Sequence, residues 1–358
     1  MESHVETGFD IKKISEFDMK ILITGVHGFV GSNLVEALKG EHTIYGLDII
    51  SPNKEGVKFT FGWQHLETNE IPNVDAIIHL AGKAHDVKNQ SAAEVYFKVN
   101  TGLTQKIFDW YLAHPSIKKF VFFSTAKAAA DRVDGVLTED VVPSPVGPYG
   151  ESKIAAEKYI LEKFKEFNSS TVQDNSQLSS DATDSKPSTI NSTLSAKQVY
   201  ILRPCMIHGP GNKGNLNLLY GVVKKGIPWP LGSFENRRSF TSIGNLQEVI
   251  KGLLTKDVPT GIYNMGDDEA LSTNELIVVI CSALGKKAHI WNIPRGLMNG
   301  FAKIGDVLHL PLNTQRMQKL TENYVVSNAK IKAALGMKDM PVRAKDGLRE
   351  TIKSFAEK

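Results

Sequence analysis

Two cysteines in 358 residues, Cys205 and Cys281, cannot build a multi-bridge framework. A chain of this length buries a core without covalent staples, so a reducing compartment, the cytoplasm, is the expectation, with both thiols read as small buried apolar groups. Nowhere do apolar residues run for the ~18 to 20 positions that a membrane span needs. The most apolar C-terminal stretch, Gly296 to Leu310, carries Lys303, Asp306 and His309 and reads as a helix of a soluble domain. Residues 1–18 lack the apolar core of a secretory signal and read as an acidic-leaning extension. An excess of one charge is lacking as well: 42 Lys and Arg against 39 Asp and Glu leave +3. So small and dispersed a charge predicts no nucleic-acid and no membrane partner, and favours a small neutral or anionic ligand. The ten histidines show no HxxxH or HExxH spacing, so no metal is expected.

What the chain does have is alternation. Short β-rich runs at Lys20 to Thr24, Thr43 to Asp48, Val74 to Leu80, Phe120 to Ser124 and Val199 to Leu202 are separated by helical stretches. The helices are expected at Phe29 to Lys39, Ala92 to Tyr111 and Tyr149 to about Phe167. Strands apolar on both faces, joined by helices of ten or more residues, predict an α/β fold: a Rossmann-type doubly wound parallel sheet covered on both sides. Residues 168–197 break the pattern, with 13 Ser or Thr among 30 residues and no aromatic. Such a segment buries too little apolar surface to offset its ordering entropy and reads as a mobile surface insertion. From Met206 onward, Gly/Pro-punctuated loops alternate with short helices at Leu216 to Lys225, Thr273 to Leu284, Asn328 to Leu335 and Lys345 to Phe355. The expected organisation is an extension (1–18), a dinucleotide-binding domain (19–205, with the insertion at 168–197) and a smaller, loop-rich substrate lobe (206–358). About 239–265 should return to the first domain. Ligands of open α/β sheets lie at the carboxyl ends of the strands, so the cleft between sheet and lobe is the expected site.

The first strand runs into Thr24-Gly25-Val26-His27-Gly28-Phe29-Val30-Gly31, where a helix starts. Three glycines in a strand-turn-helix context allow a tight turn, close backbone approach to a pyrophosphate and close helix packing, with the helix N-terminus offering N–H groups. Asp48 closes the second strand, where a carboxylate accepts hydrogen bonds from the adenosine ribose and repels a 2′-phosphate, favouring NAD over NADP. A turn-capping Asp48 is the alternative. Tyr149 and Lys153 in YGESK stand at i,i+4 at a helix start, where an ammonium lowers a phenol's pKa and lets it act as a base. By itself YxxxK is common. Behind a Gly-rich turn, and with Ser124-Thr125 ending an apolar strand, it points to an oxidoreductive site.

With these motifs, joined by HLAG (79–82), Asn100 in KVNTGLT, STAKAAA (124–130), Arg203-Pro204 and HGPGNKGNL, the chain from Met19 to about Phe355 resembles the extended short-chain dehydrogenase/reductase family. The likeness is to its nucleotide-sugar epimerases, dehydratases and 4-keto reductases. The resemblance implies that Thr125, with Ser124 as the lesser candidate, holds the sugar hydroxyl being oxidised, that Tyr149 exchanges its proton, and that Lys153 holds the nicotinamide ribose. Gly25, Gly28, Phe29, Val30, Gly31, Asp48, Leu80, Ala81, Gly82, Asn100 and Ser124 would line the cofactor, with Asn100 holding the helix behind it. Asn215, Leu216 and Arg238 would bind the nucleotide diphosphate, with Arg237 as a sharer, and Lys83, His85 and Lys127 could face the sugar. Two departures follow. The acidic residue usual after the third strand is missing from KFTFGWQHLETN, and Ala126-Lys127 replace the Asp-Glu acid pair of 4,6-dehydratases, so dehydration is disfavoured.

The resulting expectation is an NAD-dependent 4-epimerase of a UDP-hexose or UDP-N-acetylhexosamine, working through a transient 4-keto sugar. Its rivals are an NAD(P)H-dependent reductase of a UDP-4-keto-6-deoxy-N-acetylhexosamine and a non-catalytic NAD-binding protein. A homodimer is also expected, with Tyr96, Val99, Leu103, Ile107, Ile160 and Phe164 as the apolar seam of a four-helix bundle.

Overall fold

The computed structural model describes residues 18–84, 92–178, 197–212, 214–309 and 312–356. Seven parallel strands form the central sheet in the order β10-β7-β5-β4-β1-β2-β3. Its members are β1 (Lys20–Thr24), β2 (Thr43–Leu47), β3 (Phe59–Phe61), β4 (Ala76–His79), β5 (Lys119–Phe123), β7 (Gln198–Pro204) and β10 (Gly261–Met265). Chain order reverses between β1 and β4, so a crevice opens at their carboxyl ends. Side chains alternate across the sheet as the strand period demands: Ile21 and Ile23 of β1, with Val121 and Phe123 of β5, enter one core, while Leu22, Phe120 and Phe122 enter the other.

The first core is roofed by α1 (Phe29–Leu38), α7 (Ile243–Thr255) and α11 (Ala329–Leu335) through Leu34, Leu246, Leu253 and Ile331. The second lies under one long helical run and α5 (Pro148–Leu178). That run starts as α2 (Ala93–Tyr96), passes through a π-helical segment (Phe97–Gly102) and continues as α3 (Leu103–Ala113). A single turn, α4 (Ala126–Ala129), follows β5, and β6 (Val136–Leu137) pairs with β11 (Val325–Val326). Beyond the sheet, β8 (Met206–His208) pairs with β9 (Phe240–Ser242), and α6 (Asn215–Lys224), α8 (Thr273–Ala283) and α12 (Ala344–Ala356) enclose a third core around Leu216, Ile280 and Leu348. Helices α9 (Arg295–Val307) and α10 (Thr314–Thr321) form a hairpin at its edge.

Three expectations need correction. The strand β3 and helix α7 did not stand out from the sequence, and α5 does not stop near Phe167 but runs on to Leu178. The Ser169 and Ser170 hydroxyls donate to the Lys165 and Phe167 carbonyls of the helix itself. With no Gly or Pro until Pro187, extending the formed helix costs less than its polar composition suggests. Residues 179–196 of the expected insertion, like 1–17 of the extension, lie outside the described residues. Half of the expected dimer seam is misassigned: Tyr96, Ile107 and Ile160 are buried within the protomer, Ile107 and Ile160 against the sheet. Among the described residues, Val95, Phe97 and Leu161 are large apolar side chains left outward on these helices.

Candidate active site

At the end of β1 the chain must turn sharply under the neighbouring strand. Gly25 does so at φ +69°, and a side chain there would meet the Ala81 amide nitrogen at 3.0 Å, so only glycine fits both the left-handed backbone and the approach. Gly31 lets α1 lie against the Gly25 carbonyl. Gly28 caps α1, placing Phe29 and Val30 in its first turn, and the Asn33 amide ties this end to the Pro210 carbonyl of the HGPGN loop at 3.0 Å. Asp48 lies beside the turn: its Oδ2 accepts from the His27 amide at 3.1 Å, and its Oδ1 from Ile49 at 2.8 Å. It therefore also shapes the loop it was expected to serve.

A buried relay runs from this turn to the helix carrying Tyr149. The Thr24 hydroxyl accepts from the amides of Leu80 and Ala81, at 3.1 and 3.0 Å, and lies 2.7 Å from His79 Nδ1. On the other side His79 Nε2 meets the Thr104 hydroxyl at 2.9 Å, and Thr104 donates to the Asn100 carbonyl at 2.6 Å. Thr104 is thus the acceptor for Nε2–H, leaving Nδ1 to accept from Thr24. Burial, seconded by the charge of Lys153, holds His79 well below the usual imidazole range, so it is neutral. Asn100, aimed inward from the π-helical segment, accepts from the Lys83 amide at 2.7 Å and donates to the Ser152 hydroxyl at 3.0 Å. Ser152 donates in turn to the Tyr149 carbonyl at 3.0 Å. Loop 80–83 and the start of α5 are thereby fixed to each other, and Asn100 braces the loop directly rather than only the helix behind it. Thr104 and Ser152 were missed in the sequence because hydroxyls at such spacings carry no distinctive pattern.

Thr125 caps α4, and a hydrogen bond joins its hydroxyl to Tyr149, whose ring meets Tyr96 edge-on at 6.4 Å. Burial pushes the Tyr149 phenol above its ordinary value, and the Thr125 contact pulls it back only in part. Lys153 is buried and donates to the Phe123 carbonyl at 2.8 Å. Burial brings its ammonium down to about 8, against the opposing pull of Glu157. Gly82 closes over this group, since a Cβ there would stand 3.2 Å from Lys153 Nζ and 2.9 Å from Asn100 Oδ1. The structure thus brings Thr125, Tyr149, Lys153, Gly82 and Asn100 together at the carboxyl ends of β4 and β5.

Other expected residues are placed differently. Ser124 turns away, its hydroxyl donating to Glu157, a residue with no role in the sequence reading. Glu157 is clasped by Arg203, whose Nη2 and Nε donate to Oε2 and Oε1 at 2.5 and 3.0 Å, with both residues about 1% exposed. Lys83 lies over the Tyr96 ring at 5.4 Å, while Lys127 is held by Asp131 at 3.0 Å and by the Tyr324 ring. Leu216 is a core residue, leaving only its backbone at the start of α6 for a ligand. Asn215 begins that helix but its side chain, like the whole of His85, lies outside the described residues. Arg238, largely buried, donates to the Lys319 carbonyl and pairs with Glu322 at 3.8 Å. Arg237 instead points to Glu275 at 3.1 Å on the surface and does not join it. Trp229 packs in the lobe, its indole donating to Asn274 at 3.0 Å, and both cysteines are buried. Among the described residues no group of His, Cys, Asp and Glu could hold a metal.

A parallel sheet with a Gly-rich turn at its switch point, and a tyrosine and lysine meeting at the same edge, define a Rossmann-type dinucleotide enzyme. Residues 21–175 match the model of the NAD dependent epimerase/dehydratase family. It is 28% identical over 353 residues to a UDP-glucose 4-epimerase of Vibrio cholerae, an alignment covering 94% of this chain and 95% of that protein. It is 24% identical over 322 residues to the N-acetyl-alpha-D-glucosaminyl-diphospho-ditrans,octacis-undecaprenol 4-epimerase of Escherichia coli O157:H7, covering 87% and 84% of the two chains. The fold is shared with the UDP-N-acetylglucosamine 4-epimerase of Bacillus cereus, at a TM-score of 0.69 and 20% identity over 95% of this chain and 100% of that one.

Proposed function

We propose that this enzyme is an NAD-dependent 4-epimerase of a UDP-hexose or UDP-N-acetylhexosamine. The observation that carries the reading is the convergence of Thr125, Tyr149 and Lys153 beneath Gly82. The residues fit the cofactor: Gly25, Gly28 and Gly31 would bring backbone N–H groups of the α1 start to a pyrophosphate, and Asp48, at the end of the second strand, would accept from the adenosine ribose. Lys153, with donors beyond its one bond to Phe123, would hold the nicotinamide ribose. When bound, NAD supplies the acceptor and donor of hydride.

In this reading Thr125 holds the C4 oxygen of the sugar, and the Tyr149 phenolate takes the hydroxyl proton as the 4-keto sugar forms. Lys153 stabilises that phenolate by its charge. Tyr149 then returns the proton after the ketone has presented its other face. Dehydration would need a second acid beside Thr125, and Lys127, engaged by Asp131, supplies none. The start of α6 and Arg238 would take the diphosphate. The cleft would lie between a sheet domain (19–205, with 239–265) and the lobe at 206–358. The outward Val95, Phe97 and Leu161 support a two-fold homodimer through the long helices.

Incubation of the purified protein with UDP-glucose, UDP-N-acetylglucosamine and a UDP-4-keto-6-deoxy sugar, with and without added NADH, tests the assignment by NMR of the products. Epimer formation without net NADH consumption is expected. Turnover of the ketone alone, at one NADH each, would replace the epimerase by a 4-keto reductase.

A further inference from the structure

The nearly even whole-chain charge conceals one concentrated region. Between Lys286 and Lys319 the chain carries Lys286, Lys287, Arg295, Lys303, Arg316 and Lys319 against a single acid, Asp306, a net of +5 that exceeds the +3 of the whole protein. The remainder is therefore net negative. Even the one acid is engaged within the hairpin: Asp306 accepts from the Thr314 amide at 3.0 Å and from its hydroxyl at 2.5 Å.

The same region holds an apolar face turned to solvent. On α9, Met298, Ala302 and Gly305 point inward. Leu297, Phe301, Ile304 and Leu308, spaced i, i+4, i+7 and i+11, form a stripe down another side, each more than 50% exposed, with Val307 at 76% beside it. Trp291, 56% exposed, precedes the helix. Rolling the helix cannot hide the stripe, because Gly305 lies so close to the Leu312 carbonyl that a Cβ there would collide with it. Single exposed apolar residues are ordinary; a continuous stripe is not. Thirteen residues make a helix about 20 Å long, too short to span a bilayer but suited to lie in its surface.

We propose that α9 and its flanks dock on an anionic phospholipid surface, the stripe and Trp291 entering the headgroup boundary and the exposed Lys303 and Lys319 of the hairpin pairing with lipid phosphates. Apolar face, interfacial tryptophan and basic rim are the three features such a helix combines. The docking face also bears on the cleft, since Arg238 donates to the Lys319 carbonyl of α10, the partner of α9 in the hairpin. The docking itself is independent of the reaction assigned above, and its readout uses no substrate.

Flotation of the full chain with vesicles of equal parts phosphatidylethanolamine and phosphatidylglycerol, and with pure phosphatidylcholine, tests the proposal. The expected result is flotation with the anionic vesicles, lowered about tenfold or more on pure phosphatidylcholine or in the double variant Leu297→Gln/Phe301→Gln. Flotation should fall several-fold in Lys303→Glu or on raising salt. All three side chains are exposed, so melting temperature and turnover should stay at wild-type values. A wild-type protein that stays in solution, or a double variant that floats as well as wild type, would overturn the proposal. So would a double variant whose mass by light scattering drops to one chain, which would make the stripe a seam between copies.

Discussion

Lys153 and Glu157 stand one turn apart on α5, both buried, and their surroundings treat them in opposite ways. Glu157 has its oxygens taken by Arg203 and Ser124. Lys153 has one hydrogen bond, to the Phe123 carbonyl, and the face of Phe122 at 4.9 Å. An ammonium has three protons to donate, so two are not taken by that bond. The contrast separates a charge that holds strands and helix together from one left with donors to spare. The first should matter for folding, and the second, with its neighbour Tyr149, for turnover.

The largest expected effect breaks the satisfied side. Glu157→Ala leaves Arg203 as a buried, uncompensated charge whose Nη1 already has no hydrogen-bond partner. Stability to urea should fall by about 3 to 5 kcal/mol. The double variant Glu157→Leu/Arg203→Met should recover much of it, because it removes both charges. A loss below about 1 kcal/mol in the single variant would place this pair among weak surface-like bridges and erase the contrast.

Next comes the reacting side. Tyr149→Phe should lower kcat by ~10²-fold or more, the usual loss when a general acid-base group is removed, while the melting temperature and NAD affinity stay near wild type. Turnover at the wild-type rate would show that the proton travels by another group.

The smallest effect concerns Lys153 and pH. Its folded pKa, about 8, lies below the 10.5 it has when exposed, so between these values the unfolded chain holds a proton that the folded one has released. Stability contributed by this group therefore rises with pH across that window and is withheld below it. Lys153→Met should be at least as stable as wild type near pH 7 and should lose this rise in chemical denaturation from pH 8 to 10, while turnover collapses. A variant that keeps the wild-type slope would show that other groups cause it.

The Gly-rich turn and the Tyr–Lys pair were readable because each is encoded locally: Gly25, Gly28 and Gly31 in one turn, Tyr149 and Lys153 on one helical face. The Glu157–Arg203 clasp joins residues 46 positions apart, and the Thr24–His79–Thr104 relay joins three separate elements, so neither leaves a trace in spacing. Periodicity gave the long helices an apolar face but not its direction. Ile107 and Ile160 were assigned outward although the aromatic core under the sheet, with Phe108 and Phe120, takes them inward. Ser124 and Thr125 are adjacent hydroxyls at a strand end, and only the buried acid on α5 decides which of them turns to the cleft.

The π-helical segment between α2 and α3 carries a further meaning. Such a coil holds one residue more than an α-turn of the same rise. Everything before Phe97 is therefore phased independently of everything after Gly102. Deleting one residue from 97–99 would restore α-helical pairing at little cost in backbone bonds, yet it would turn the upstream end by about 100°. Tyr96 would swing off Tyr149 while Asn100 kept its hold on Lys83 and Ser152. The pocket wall and the loop brace are thus separately adjustable, and the length of six residues sets the angle between them.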